Sequence, residues 1–77
     1  MAKRKLYRIG DVMRFSGMSR QTIHNYTAFG LIREEDRTPS GYRLYGEGVF
    51  EQLRQIAKLK RAHTLREIKG ILKQGYS

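Results

Sequence analysis

Apolar residues recur at helical spacing on both sides of a glycine at position 17. Asp11 stands where a first helical turn would favour negative charge, and Gly17 can take the left-handed conformation that ends a helix. Ser19 can then accept a hydrogen bond from the first turn of a second helix, which should stop at Gly30. The inward-facing residues would be Val12, Met13 and Phe15 in the first helix, and Met18, Ile23, Tyr26 and Phe29 in the second. This pattern predicts two short helices joined by a tight turn.

Two-residue alternation predicts a small hairpin after the second helix. Leu31-Ile32-Arg33 should begin a strand, and Tyr42 and Leu44 alternate with Arg43 and Tyr45 on a returning strand. Between them, residues 34–40 hold the only proline and end in Ser40-Gly41, which is turn chemistry. A short extended segment, Leu6-Tyr7-Arg8-Ile9, precedes the first helix.

Helical spacing returns in the last third of the chain. A third helix should run from Glu47 to about Arg61, with a core stripe of Val49, Phe50, Leu53, Ile56 and Ala57. Thr64 and Glu67 form a capping box that opens a fourth helix, whose buried side would be Leu65, Ile68, Ile71 and Leu72. We therefore expect a mainly α domain over residues 7–73, with about four helices and a two- to three-stranded hairpin. Residues 1–6 would form a basic N-terminal tail, and residues 74–77 a C-terminal tail.

The charge of the chain points to a polyanionic partner. It has sixteen Lys and Arg against seven Asp and Glu, a net charge of +9, and the excess lies in residues 1–30 and 53–77 rather than in the middle. Two basic blocks suggest two contact surfaces on nucleic acid, because affinity rises with the number of phosphates neutralised. The alternative is a highly charged surface that serves solubility alone.

The outward face of the second helix has the side chains that contact bases in DNA. No carboxylate stands between Asp11 and Glu34. At four-residue spacing Arg20 lies beside His24, and Gln21 beside Asn25, with Thr22 on the same helix. Arginine pairs with guanine, and glutamine or asparagine with adenine, through two hydrogen bonds in the major groove. The alternative is an ordinary solvated polar face.

Several of these segments together resemble the DNA-binding domain of the mercury-resistance regulator (MerR) family. They are Ile9-Gly10-Asp11-Val12, the Gly17 turn, Thr22-Ile23, Tyr26, Gly30-Leu31 and Ser40-Gly41-Tyr42-Arg43-Leu44-Tyr45, and the resemblance covers roughly residues 7 to 72. It implies a winged helix-turn-helix, in which the second helix enters the major groove of double-stranded DNA and the hairpin is the wing. The implied function is sequence-specific regulation of transcription in a bacterium, as activator or repressor.

The resemblance also implies roles for residues outside the helix face. Arg43, with Tyr42, matches a Gly-Tyr-Arg motif whose arginine binds a phosphate, and Lys60 and Arg61 stand where the family approaches the DNA backbone. Tyr26 matches an aromatic residue that contacts the DNA backbone, although its ring could equally pack in the core between the helices. Glu34-Glu35-Asp36 is unexpected in a wing loop; it should point into solvent or limit wing insertion, with Arg33 and Arg37 available to pair with it.

Three departures limit what the resemblance implies. His24 and Asn25 replace the usual Arg and Tyr, so base preference cannot be transferred. Ala62-His63 replaces a glycine and an aromatic, which leaves the angle between the last two helices open. The long dimerisation helix of the family is absent, so we expect either a piece of a longer regulator or self-association on repeated sites.

Two other functions fit the same residues. The chain could be an excisionase-like recombination directionality factor that bends DNA, or its recognition helix could also dock an acidic antirepressor protein. An enzyme is not expected: there is no cysteine, His24 and His63 lack metal-ligand spacing, and neither a cofactor nor a metal is indicated. No apolar run approaches the roughly 20 residues of a membrane span, and no signal-type stretch follows the basic start. We therefore expect a cytoplasmic, nucleoid-associated protein. Lys3, Arg4 and Lys5 could form a minor-groove arm or a solubilising tail.

Overall fold

The computed structural model describes residues 5–74, which form four helices and three short strands. In chain order these are β1 (Leu6–Arg8), α1 (Ile9–Ser16), α2 (Arg20–Phe29), β2 (Asp36–Arg37), β3 (Arg43–Gly46), α3 (Gly48–Leu59) and α4 (Leu65–Lys73). The predicted class, mainly α with four helices and a small hairpin, is confirmed. Residues 1–4 and 75–77, and with them most of the predicted tails, lie outside the described residues. No helix in the described part is long and apolar enough to cross a bilayer.

The turn between α1 and α2 forms as its residues predict. Gly17 adopts φ 75°, and its amide donates to the Met13 carbonyl at 2.9 Å. The Ser19 hydroxyl then accepts a hydrogen bond from the Thr22 amide at 3.1 Å and caps α2. Gly30 ends α2 with φ 89°. The Gly17 turn and the Ser19 cap together set the direction of α2 relative to α1.

The sheet is antiparallel in the order β1-β3-β2, with Tyr7 opposite Tyr45 and Arg37 opposite Arg43. The prediction of a strand at Leu31-Ile32-Arg33 was wrong. Leu31 and Ile32 are buried instead, and both amides donate to the Tyr26 carbonyl at the end of α2. Because these residues close the helix, the strand starts only at Asp36.

The core forms where α1, α2, α3 and α4 meet the inner face of β3. Its buried residues are Val12, Ile23, Tyr26, Leu31, Ile32, Tyr45, Val49, Leu53, Ile56 and Ile68. Two aromatic predictions were wrong: Phe29 is 38% exposed and Phe15 is 66% exposed. Both stand in the last turn of a helix, at the margin of the core. Phe15 packs edge-on against Phe50, with ring centroids 5.7 Å apart.

Helix α4 begins at its predicted cap, and α3 is shorter than predicted. Thr64 and Glu67 form the predicted capping box: the Thr64 amide donates to Glu67 Oε1 at 2.9 Å, and the Glu67 amide donates to Thr64 Oγ1 at 3.2 Å. Helix α3 ends at Leu59, two residues before the predicted end, and residues 60–63 form the turn to α4. Ala57, predicted in the core stripe, is exposed. The short turn holds the basic end of α3 beside α4.

Candidate nucleic-acid interface

The outward face of α2 presents the predicted base-contacting side chains. Arg20, Gln21 and Asn25 are exposed and His24 is half-buried. The Gln21 amide donates from Nε2 to Asn25 Oδ1 at 2.9 Å, so the two amide groups support each other on one face. Thr22 is half-buried, and its hydroxyl lies 2.9 Å from that of Ser19 in the helix cap. The face is therefore polar and positively charged, with part of its order built in before any partner binds.

A groove separates α2 from the wing, by which we mean β2, β3 and the turn between them. It has a volume of about 500 Å³ and is called the basic groove below. The residues that line it are Arg8, Ile9, Gly10, Asp11, Arg14, Arg20, His24, Gly41, Tyr42 and Arg43. The structure thus brings four of the predicted site residues together, Arg20, His24, Tyr42 and Arg43, although the first and last are far apart in the sequence.

Two arginines of the basic groove were not among the predicted site residues. Arg8 is the last residue of β1 and Arg14 stands in the last turn of α1, and both line the groove. The one available signal was the scarcity of carboxylates in residues 1–30, where Asp11 stands alone. Sequence spacing could not reveal that α1 faces the wing.

The single carboxylate of the basic groove is already engaged. The Arg8 amide donates to Asp11 Oδ2 at 3.3 Å, which satisfies a donor at the start of α1. Arg14 Nη1 lies 3.7 Å from Asp11 Oδ1. With four arginines against this one acid, the groove favours an anionic ligand.

At the base of the wing, Glu34 pairs with two arginines. Its Oε1 accepts from Arg43 Nε at 2.9 Å and from Arg37 Nη2 at 3.1 Å, and its Oε2 accepts from Arg37 Nε at 2.5 Å. The hydrogen bond from Arg37, together with that from Arg43, holds the pKa of the Glu34 carboxyl below its ordinary value. The hydrogen bond with Glu34 in turn raises the pKa of Arg37.

Of the acidic run expected to point into solvent or to limit wing insertion, Glu35 and Asp36 are exposed, whereas Glu34 is half-buried and paired with arginines. The neighbouring Glu35 amide donates to the Leu44 carbonyl at 2.8 Å, and this bond draws residue 34 alongside β3. The tip of the wing is instead residues 38–41, closed by the Gly41 amide on the Thr38 carbonyl at 2.8 Å. Pairing of Arg37 with one of the acids is confirmed.

Tyr26 of α2 lies beside Lys60, and Arg61 follows Lys60 in the turn after α3. The Tyr26 ring is 4% exposed, which fits the core role, and Lys60 Nζ lies 6.0 Å from its centroid. Lys60 and Arg61 are both exposed in the turn after α3. Neither residue is among those that line the basic groove. Tyr42, 64% exposed, instead lines the basic groove at the wing.

Comparison with known proteins decides the family. The pattern of the MerR family of regulatory proteins matches residues 8–45, from the start of α1 through the wing. The crystal structure of the N-terminal part of MtaN, the multidrug transporter activator of Bacillus subtilis, has a TM-score of 0.80 at 37% identity. That match covers 86% of this chain and 63% of the other. The chain carries a MerR-family winged helix-turn-helix domain.

Curated relatives of this MerR-family domain are longer than the chain. The mercuric resistance operon regulatory protein of Bacillus cereus is 36% identical over 67 residues, which cover 86% of this chain and 51% of that protein. The transcriptional activator mta of Bacillus subtilis is 37% identical over 67 residues, covering 86% of this chain and 26% of the activator. The chain thus spans about half of one relative and a quarter of the other.

Proposed function

We propose that this MerR-family chain binds double-stranded DNA in a sequence-specific manner and regulates transcription in a bacterium. Helix α2 would enter the major groove while the wing lies on flanking phosphates. The observation that carries the proposal is the basic groove, where Arg20 and His24 of α2 and Arg43 of the wing share one anion-favouring surface. A winged domain of this geometry can touch bases and backbone at once.

The proposed contacts divide into two sets. Arg20, Gln21, His24 and Asn25, with Thr22 beside them, would face base edges, since they stand on the outward face of α2. The second set would contact phosphates. Tyr26 and Tyr42 would donate hydrogen bonds through their hydroxyls, and the charged members would neutralise phosphates: Arg43, Lys60 and Arg61, together with Arg8 and Arg14 from the basic groove. Phosphate contacts orient a domain without conferring sequence preference.

The names of the relatives support transcriptional regulation rather than recombination directionality. One is a regulatory protein of a mercuric resistance operon, and another is a transcriptional activator. A chain that acts on bacterial DNA would be cytoplasmic and associated with the nucleoid. Because one winged domain covers only a short half-site, we propose that useful affinity comes from several copies on repeated sites.

The basic groove also suits an acidic antirepressor protein that imitates the charge of DNA. We propose it as a second partner of the same surface, with Arg20 and Arg43 as shared contacts. Charge reversal at either position should then abolish the binding of duplex and of antirepressor together. Loss of one without the other would separate the two surfaces.

Binding-site selection from random duplex DNA, followed by titration of variants, tests the division between the two sets. We expect Arg43→Ala to weaken binding to all sequences alike, and Gln21→Ala or Asn25→Ala to change the preferred sequence, by about 1 to 3 kcal/mol for a lost bidentate base contact. Arg54→Ala is the matched control, because Arg54 is exposed on α3 away from the basic groove. An equal loss on every sequence for both kinds of variant would refute the division.

A further inference from the structure

Glu34 places a negative charge at the edge of a surface proposed to meet phosphates. Arg43 lines the basic groove, and Glu34 lies within hydrogen-bonding distance of it at 2.9 Å. A carboxylate this close to a bound backbone would repel phosphate, so charge alone gives no reason for an acid at this position. Its three hydrogen bonds with Arg37 and Arg43 suggest a different role.

We infer that Glu34 is a positioning residue that orients Arg43 toward a DNA phosphate. The inference rests on the proposed function, and it adds a residue that makes no contact with DNA itself. Glu34 Oε1 accepts from Nε of Arg43, so this bond leaves the two terminal amino groups of the guanidinium to other partners. Those amino groups can donate the two hydrogen bonds of a bidentate contact with a phosphate.

Arg37 holds Glu34 in place for this task. Its Nε and Nη2 donate to the two different carboxylate oxygens at 2.5 and 3.1 Å, a paired contact that sets the plane of the carboxylate. Arg37 and Arg43 stand directly opposite each other on β2 and β3. The cross-strand register thus connects the two arginines through one acid, and the trio retains a net positive charge.

Holding Arg43 in place before binding reduces the conformational entropy that its side chain loses when it binds a phosphate. A long arginine side chain loses rotamer freedom when it binds a phosphate, and a side chain already fixed in the free protein loses less. Arg43 is partly shielded, with its side chain 38% exposed, whereas Arg14 in the same groove is 72% exposed. Positioning therefore favours binding, while the negative charge of Glu34 opposes it. The sign of the change in affinity on removing Glu34 shows which effect is larger.

The experiment compares Glu34→Ala with Glu51→Ala in duplex titrations over a range of salt. Glu51 is a matched control, since it pairs with Arg54 on α3 at 3.2 Å and the change removes the same charge. We expect Glu34→Ala to weaken binding about tenfold and to reduce the salt slope by as much as about 0.9, the amount for one phosphate contact. Glu51→Ala should leave affinity unchanged or slightly higher. Tighter binding by Glu34→Ala would overturn the inference.

A second variant separates position from charge. Glu34→Asp retains the charge and shortens the reach by one methylene, so positioning predicts weaker binding and pure electrostatics predicts no change. In an Arg43→Ala background, Glu34→Ala should have no further weakening effect, because there is no guanidinium left to orient. An undiminished effect there would also overturn the inference. If the wild-type chain binds no duplex, the proposed function itself fails.

Discussion

One buried tyrosine connects the wing to the recognition helix. The Tyr45 hydroxyl lies 2.9 Å from Thr27 Oγ1, and Thr27 in turn donates to the Ile23 carbonyl at 2.8 Å. Tyr45 is therefore the donor to Thr27, and the chain of bonds runs from β3 into α2. Because Tyr45 is fully buried, this contact is not in competition with water. It fixes the distance between the two parts of the proposed interface.

Tyr45→Phe should reduce stability by about 0.5 to 1.5 kcal/mol, the usual net value of one hydrogen bond. The ring still fills its space and Thr27 retains the Ile23 carbonyl, so no cavity forms. Urea unfolding measures the change. Tyr42→Phe is the control, since Tyr42 is exposed at the groove and its loss should not shift the midpoint. An unchanged midpoint for Tyr45→Phe would mean that the hydroxyl contributes nothing.

Left-handed glycines end the first two helices, α1 at Gly17 and α2 at Gly30. Gly17 has φ 75° in the turn before α2, whereas Gly70 lies within α4 and has no positive φ. A methyl group added at either position would meet no atom within 4 Å. The two sites therefore differ in backbone conformation and not in space.

Gly17→Ala should cost about 1 to 2 kcal/mol, because alanine resists the left-handed conformation. Gly70→Ala should instead stabilise the domain by about 0.5 to 1 kcal/mol through helix propensity. Thermal or urea unfolding of the two variants beside the wild type provides the comparison. If both substitutions changed the stability in the same direction, the turn would not require a residue in the left-handed conformation.

The wing should respond to acid through Glu34. Its folded pKa lies below the ordinary value because of hydrogen bonds from Arg37 and Arg43. The stabilisation is therefore present above the ordinary glutamate pKa and is lost as pH falls through the lower folded value. We expect the unfolding midpoints of wild type and Glu34→Gln to differ at neutral pH and to converge in acid. A constant difference across that range would exclude the linkage.

The caps at Gly17, Ser19 and Thr64 could be derived from the sequence alone, whereas α3 ends two residues before its predicted end and the wing was derived only in part. Gly17, Ser19 and the Thr64–Glu67 box act within a few residues, so their effect was predictable from local spacing. The conformation of Leu31 and Ile32 could not be predicted in this way, since an apolar pair before a turn is compatible both with a strand and with the end of a helix. The core decided between the two, because it had room to bury both side chains.

Positive charge forms two separate groups near α2. The basic groove holds Arg8, Arg14, Arg20 and Arg43, while Lys60 and Arg61 stand beyond Tyr26. A duplex with α2 in its major groove would bring phosphates to both sides at once. Binding should therefore release many counterions and weaken steeply with salt, at a log-log slope of about −0.9 per phosphate contacted.

Arg8→Ala tests the part of this surface that the sequence did not indicate. We expect the salt slope to become shallower by about 0.9 and sequence preference to remain the same, as for the loss of one phosphate contact. Filter binding or fluorescence anisotropy at several salt concentrations gives the slope, with Arg54→Ala as the control. A slope equal to that of the wild type would remove Arg8 from the interface.

Local sequence signals were enough to predict the four helices, the turn at Gly17 and the polar face from Arg20 to Asn25. These depend on helical period, capping and backbone conformation, all of which act over a few residues. The folded arrangement was needed to show that Arg8 at the end of β1 and Arg14 of α1 line the basic groove, and that Glu34 bridges Arg37 and Arg43. Such contacts depend on how strands pair and helices pack, and local spacing does not specify the register or packing that brings distant residues together.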